Sequence, residues 1–239
     1  MFDIHSHLLF NIDDGSKSLD SSVRIITDMY ERGYKGIILT PHYISDSNYD
    51  SNRKNNQKLL KELKEELVKN NIDIELYLGN EIFIDYDILK LLKNNTISSL
   101  NDSKYLLIEL HMSGEFEGYI EVFTELMEKG YKVILAHPER YLSFQKDYKK
   151  VNELESIGVL FQSNIESIIG NYGKRARKMV KKLLKDKKIS FLATDIHHRK
   201  RDYTKWDKAK KKYLKYLTEE EYKKLTIDNP LKVINNINV

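Results

Sequence analysis

Asp3-Ile4-His5-Ser6-His7 sets two imidazoles two positions apart, almost at the start of the chain. On an extended segment, side chains two residues apart share a face, so both rings leave on one side, where they can grip a single cation. Packing a hydrophobic core asks for no such arrangement. Further His, Asp and Glu residues at the ends of later strands would make this stretch one wall of a metal site; scattered ones would leave it a coincidence.

Working outward, the apolar runs at 35–40, 72–78, 105–110, 132–136, 159–162 and 189–194 read as strands, which with the opening run at 1–5 makes seven. Helical patterns separate nearly all of them. Ser18 is a candidate N-cap for a helix that carries Val23, Ile26, Met29 and Tyr30 and stops near Gly33. Leu59, Leu60, Leu63 and Leu67 share one face of the next helix, and further helical patterns occupy 86–92, 117–128, 148–157 and 174–187. In the tail, Thr218 and Glu221 form a capping box, and Asp228, Asn229 and Pro230 open a final helix. Strands alternating with helices are the signature of a parallel α/β architecture, here as one domain over residues 1–239.

Six of the seven strands end in a potential ligand: His5 with His7, His42, Glu81, Glu109, His137, and Asp195 with His197. The ends of barrel strands converge on one face, where the active sites of such folds lie. An open sheet would spread the same residues along a line. The expected fold is therefore a distorted TIM-like (β/α)7 barrel.

Composition narrows the chemistry. The chain has 239 residues, enough for a large core, and 40 basic against 36 acidic side chains, a mild +4 that makes no case for a nucleic-acid partner. With no cysteine, disulfides, thiolate zinc sites and thiol nucleophiles are excluded, and any metal must be held by nitrogen and oxygen. No apolar run reaches the length of a membrane span, and the first residues read as a strand instead of a signal peptide, so the expected location is the cytoplasm.

A lone histidine at a strand end is ordinarily solvated or structural, and His111 and His198 fit that description. Glu109 does not, because a carboxylate in an apolar strand needs a partner. Five histidines and three carboxylates in equivalent positions are too many for one ion and suit two or three, with manganese, iron or zinc favoured over copper(I), magnesium or calcium. Three carboxylates against two or three divalent ions leave a positive pocket, which suits a phosphate ester. Arg140, just past His137, is placed for a bidentate phosphate contact, and Arg199 and Arg201 are further candidates. Asp14, in the Asp13-Asp14-Gly15 turn, either donates a proton to the leaving group or shapes the turn. The basic helix from Lys174 turns Met179, Val180, Leu183 and Leu184 inward; its outer face is either plain solvated surface or a dock for an acidic segment or anionic lipid.

Read together, Asp-Ile-His-Ser-His at 3–7 with Asp-Asp-Gly at 13–15, Thr-Pro-His-Tyr at 40–43, Gly-Asn-Glu at 79–81, Asn-Asp-Ser-Lys-Tyr-Leu-Leu-Ile-Glu at 101–109, His-Pro-Glu-Arg at 137–140 and Thr-Asp-Ile-His at 194–197 resemble the polymerase and histidinol phosphatase (PHP) superfamily. Within it they are most similar to the bacterial manganese-dependent tyrosine-protein phosphatases of capsule and exopolysaccharide operons, the CpsB/YwqE type. The resemblance implies a distorted (β/α)7 barrel with a trinuclear centre. It also implies hydrolysis of phosphotyrosine on the tail of a membrane-associated tyrosine autokinase that controls polysaccharide synthesis. His5, His7, His42, Glu81, Glu109, His137, Asp195 and His197 match the family's ligand positions, and Arg140 a phosphate-contacting arginine. The sequence departs from the pattern after His197, where His198, Arg199, Lys200 and Arg201 stand in place of a small polar residue and one later arginine. The absence of cysteine fits, since ordinary tyrosine phosphatases attack with a thiolate. The alternatives are a small-molecule phosphatase such as one for histidinol phosphate, a nuclease, and a non-catalytic binding module.

Overall fold

The computed structural model describes residues 1–49, 51–114, 117–199 and 203–239. Its strand segments are β1 (Phe2–Asp3), β2 (Gly36–Leu39), β3 (His42–Tyr43), β4 (Glu75–Leu78), β5 (Glu81–Phe83), β6 (Tyr105–Glu109), β7 (Lys132–Ala136), β8 (Leu160–Asn164) and β9 (Ile189–Ala193). All their pairings are parallel, in two sheets ordered β1-β2-β4 and β3-β5-β6-β7-β8-β9. The chain leaves β2 through Thr40 and Pro41 into β3, and β4 through Gly79 and Asn80 into β5, so these segments are halves of two interrupted strands and the nine segments make seven strands. Pro41 has no N–H for the ladder. The Asn80 amide bridges the gap, donating to the Pro41 carbonyl (3.1 Å) and accepting from Ser98 N–H (2.9 Å).

The ring closes between its first and last strands. Asp195 N–H donates to His5 O and His7 N–H to Ile196 O, both at 2.9 Å, around a parallel bridge of Ser6 with Ile196. The fold is the expected distorted (β/α)7 barrel. Its first strand is shorter than 1–5, because the Asp3 carboxylate turns back to accept from His5 N–H (3.3 Å) and Thr194 N–H (3.0 Å), and regular pairing gives way to a bend.

Alternation along the strands builds two apolar cores. Ile4, Ile38, Tyr105, Leu107, Ile134, Ala136, Phe191 and Ala193 fill the barrel with Leu100 and Val233, while the intervening residues, among them Ile37, Leu106, Ile108, Val133 and Leu135, face the surrounding helices. Those helices are α1 (Leu19–Glu31), α2 (Arg53–Lys69), α3 (Ile88–Lys93), α4 (Ile120–Glu128), α5 (Leu142–Lys146), α6 (Lys149–Ser156), α7 (Gly173–Lys185), α8 (Thr204–Tyr213), α9 (Glu219–Lys223) and α10 (Asn229–Ile234). Ser18 caps α1, accepting from Ser21 N–H, and Gly33 ends its turn at φ +85°. The Thr218–Glu221 capping box forms as expected.

The final helix starts at Asn229 with Pro230 in its first turn, as expected, but Asp228 makes no side-chain cap. Its φ of −69° and ψ of −46° are helical, and a π turn over Lys224–Asp228 joins α9 to α10 without a break. A wider turn there accommodates Pro230, which brings no N–H and a ring that crowds the carbonyl four residues back. Among the described residues no helix is long and apolar enough to cross a membrane.

Candidate metal centre

The strand ends bring their polar residues together. His5 and His7, flanking the bridge at Ser6, place their Nε2 atoms 3.2 Å apart, and each lies 3.2 Å from Glu81 Oε2 at the start of β5. His42 Nδ1, opening β3, is 3.0 Å from the same oxygen and 3.7 Å from Glu109 Oε2 at the end of β6. His137 Nε2, after β7, is 3.0 Å from Glu81 Oε1 and 3.5 Å from Glu109 Oε1. Asp195 Oδ1, after β9, sits 3.4 Å from His5 Nε2, 3.5 Å from His7 Nε2 and 3.5 Å from His197 Nδ1. The His197 ring stacks on His7 at 3.9 Å, and its Nε2 reaches Asp14 Oδ1 at 3.4 Å. All eight residues expected as ligands thus share one cluster. His137 (φ +34°) and Asp195 (φ +51°) hold left-handed backbone conformations, which cost a non-glycine residue about 1–3 kcal/mol and persist at sites their surroundings over-determine.

The donor set fits metal ions. Atoms bound at about 2.0–2.2 Å to one ion lie roughly 3.0–3.5 Å from each other, which is the spacing found here. Among the described residues, His42 Nδ1 and Glu81 Oε2 are buried without a hydrogen-bond partner although they face each other at 3.0 Å, so their lone pairs converge unsatisfied. Among the described residues, four overlapping groups could each hold an ion: His7, Asp14, His42 and His197; His5, His7 and Glu81; His5, His137 and Asp195; His42, Glu81 and Glu109.

The electrostatics agree. Burial opposes charge on His5, yet Glu81 and Asp195 raise it to about 9; burial likewise opposes His7, which Asp13, Asp195 and Glu81 lift well above the ordinary range. Burial, with Glu81 alongside, pushes Glu109 up to about 8. Burial also pushes up Glu81 and Asp195, but His5 and further imidazoles outweigh it and hold both well down. His137 falls to about 4 because burial outweighs its contact with Glu81. The pocket demands positive charge, which protons on His5 and His7 or bound cations can supply.

The profile of a capsular polysaccharide synthesis family, CpsB/CapC, matches residues 1–235. The chain belongs to this family. CapC of Staphylococcus aureus is 33% identical over 198 residues, 82% of this chain and 77% of that protein. In the solved structures, a chain from the work on YwqE of Bacillus subtilis and CpsB of Streptococcus pneumoniae, described as metal-dependent tyrosine phosphatases, superposes with a TM-score of 0.92 at 27% identity, over 100% of this chain and 96% of that one. Histidinol phosphate phosphatase of Lactococcus lactis, solved with zinc, L-histidinol and phosphate, shares the fold, with a TM-score of 0.60 at 16% identity over 90% of this chain and 94% of that one.

Around the cluster, this CpsB/CapC chain adds supports that its strand ends do not advertise. His7 Nδ1 lies 2.8 Å from Asp13 Oδ2, which also accepts His42 N–H at 3.0 Å, while Asp13 Oδ1 accepts Gly15 N–H at 2.9 Å. Strand β8, which ends in no ligand candidate, supplies a chain of amides. Asn164 Nδ2 donates to Asp195 Oδ2 (2.6 Å), its Oδ1 accepts from Gln162 Nε2 (2.9 Å), and Gln162 Oε1 faces His5 Nδ1 (2.7 Å). A carboxylate only accepts, so the direction of every link is fixed: His5 carries a proton on Nδ1 and turns Nε2 to the cluster.

Arg140 donates to Asp195 Oδ2 at 3.1 Å, with its guanidinium 5.0 Å over the Tyr172 ring. Buried Glu139 ties this turn to β8 by accepting from Asn164 N–H (2.9 Å), Ser163 Oγ (2.7 Å) and Ser167 Oγ (2.5 Å). Asp14 sits beside His197 and His42, and the hydrogen bond from His197 lowers it to about 2. Arg199, the further phosphate candidate, lines the cavity beside Arg140, Asp195 and His197 but is paired in this structure. Its fork is taken by Asp28 of α1, Nε to Oδ2 at 2.7 Å and Nη2 to Oδ1 at 3.0 Å. Arg201 lies outside the described residues. His111 and His198 are exposed and join none of the four groups.

Proposed function

We propose that this chain is a metal-dependent protein tyrosine phosphatase. In this reading it is a single cytoplasmic domain over 1–239 that hydrolyses phosphotyrosine on the tail of a membrane-associated tyrosine autokinase and so regulates capsular or exopolysaccharide synthesis. The ligands are His5, His7, His42, Glu81, Glu109, His137, Asp195 and His197, holding two or three ions, manganese first and iron or zinc as alternatives. The observation that carries the reading is the convergence of these eight side chains from separate strand ends in a chain without cysteine. Membership of the CpsB/CapC family supports it.

Bound ions would polarise the phosphoryl oxygens and make water nucleophilic at neutral pH. The chain's own residues do the rest. Arg140, aimed across Asp195, offers an N–H fork to phosphate oxygens. Gln162 and Asn164 hold His5 and Asp195 in their orientations. A cavity of about 360 Å³ over the cluster is lined, besides the cluster's own residues, by Ile44, Tyr49, Phe83, Leu110 and Met112, side chains suited to the ring of an aryl phosphate. The departing phenolate, a good leaving group, takes its proton from solvent or from Asp14, which lines the cavity.

Turnover of a phosphotyrosine peptide and of histidinol phosphate, each with manganese and after chelation, tests the reading. Peptide hydrolysis that chelation abolishes is expected. Turnover of histidinol phosphate alone would move the chain to the small-molecule phosphatases.

A further inference from the structure

Residues 173–216 hold 18 Lys and Arg against 4 Asp and Glu, whereas the remaining residues hold 22 against 32, so the mild +4 of the chain conceals a segment at +14 set against −10 elsewhere. Two helices carry most of this charge. Both pack on Ile165–Ile169, burying Ala176, Met179, Val180, Leu183 and Leu184 of α7 and Trp206, Ala209 and Tyr213 of α8 and turning their basic faces to solvent.

The two helices also start at one place. A cavity of about 530 Å³ beside the metal cluster is lined by Arg140, Asp195 and His197 of that cluster, by Tyr172 just before α7, and by Lys205 in the first turn of α8. Lys174 and Arg175, just past Tyr172 in the first turn of α7, and Lys205 and Lys208, three residues apart on α8, are exposed, and none forms an ion pair among the described residues. Among the described residues, the ion pairs that lysines of this region form, Lys187 with Glu221 (3.5 Å), Lys188 with Glu155 and Lys210 with Glu219 (3.7 Å), lie toward the other ends of the helices. Unneutralised positive charge thus extends along both helices to where the surface runs into the site.

We infer that the outer faces of α7 and α8 and the cavity beside Arg140 form one docking track for an acidic peptide, which reads carboxylates flanking the phosphorylated tyrosine. This rests on the phosphatase reading. Positive charge continuous with a reaction site raises the local concentration of an anionic substrate and speeds its encounter. A bilayer fits less well, because helices that lie in a membrane interface turn an apolar face outward, and here the apolar faces of both helices are spent on the fold. The track also ends in a concavity, which a chain can enter and a lipid surface cannot.

The test uses the full chain carrying Lys174→Glu, Arg175→Glu, Lys205→Glu and Lys208→Glu. Lys174, Arg175 and Lys205 lie in the first turns of their helices, where acidic residues suit the helix dipole, and circular dichroism checks the fold. Two phosphotyrosine peptides are compared, one flanked by Asp and Glu, the other by Ser and Gln. The wild type is expected to prefer the acidic peptide through a lower KM, by a margin that shrinks with added salt. With exposed charge pairs worth about twofold or more each, the four reversals should cut that preference by roughly tenfold or more. Fluorescence anisotropy of the acidic peptide reads docking without turnover, so a wild type that hydrolyses neither peptide counts against the phosphatase reading while docking is still decided by binding. Equal affinity for the two peptides, or a preference that survives the reversals, overturns the proposal. So does binding to phosphatidylserine vesicles without any peptide preference.

Discussion

Replacing Gln162 with leucine removes the link between β8 and His5 while keeping much of the side chain's volume. Gln162, His5 and Asn164 are all fully buried, so no water takes the lost place. His5 Nδ1–H loses its 2.7 Å acceptor and Asn164 Oδ1 its 2.9 Å donor. An orphaned buried polar group costs about 1–3 kcal/mol, and loss of an outer partner of a metal-ligating histidine weakens metal affinity about 10–100-fold. Both figures place the effect at one to two decades in the manganese dissociation constant. The assay is titration with manganese against a competing chelator, with thermal unfolding of the metal-free protein as the control for folding. Gln162→Glu should fall between the two, since it still accepts from His5 and no longer donates to Asn164. A manganese affinity within about twofold of wild type in folded Gln162→Leu would refute the relay, because that is far below the outer-partner effect.

Three further outcomes follow from the same geometry. Arg140→Ala should lower kcat/KM for a phosphotyrosine peptide by about two to three orders of magnitude, and Arg140→Lys should not restore it, because a point charge does not reproduce the guanidinium fork; steady-state kinetics at saturating manganese decide this, and unchanged kinetics would remove Arg140 from the site. Gly15→Ala should weaken metal binding, since an added Cβ would collide with the His7 backbone carbonyl and push away the turn in which Asp13 holds His7; a chelator competition at wild-type affinity would contradict it. Glu139→Ala should destabilise the metal-free protein by about 2–4 kcal/mol in urea unfolding, because Asn164 N–H and two serine hydroxyls lose their common acceptor; a loss under about 0.5 kcal/mol would show that they find other partners.

What could be read from the sequence followed from one regularity, the period of two along a strand. Tyr105 and Leu107 fill the barrel, and the next residue of the same parity is Glu109; Phe191 and Ala193 lead to Asp195 in the same way. A polar residue that closes such a row can be recognised without coordinates. The supports were harder to see because each depends on a neighbour far along the chain. Gln162 and Asn164 are neutral amides at the end of the one strand that lacked a ligand candidate, and their role emerges only when β8 lies between β7 and the β9 end, against His5. The available signal was three consecutive polar residues, Gln162, Ser163 and Asn164, closing an apolar strand; the structure buries all three. In the Asp13-Asp14-Gly15 turn the sequence offers two equivalent carboxylates, and only the fold separates the one bonded to His7 from the one beside His197. The pairing of Arg199 was hidden for a similar reason, since its partner Asp28 is on a helix near the other end of the chain.

The central claim is that side chains from separate strand ends hold the ions on which hydrolysis depends. The most direct measurement is metal content by mass spectrometry of the full chain and of Asp195→Ala, after chelation and reloading with manganese, alongside hydrolysis of a phosphotyrosine peptide by the same samples. Two or three equivalents of manganese and full activity are expected for the wild type, with loss of both in a variant that remains folded. Hydrolysis that persists after chelation, or a folded Asp195→Ala chain with undiminished metal and activity, would contradict it.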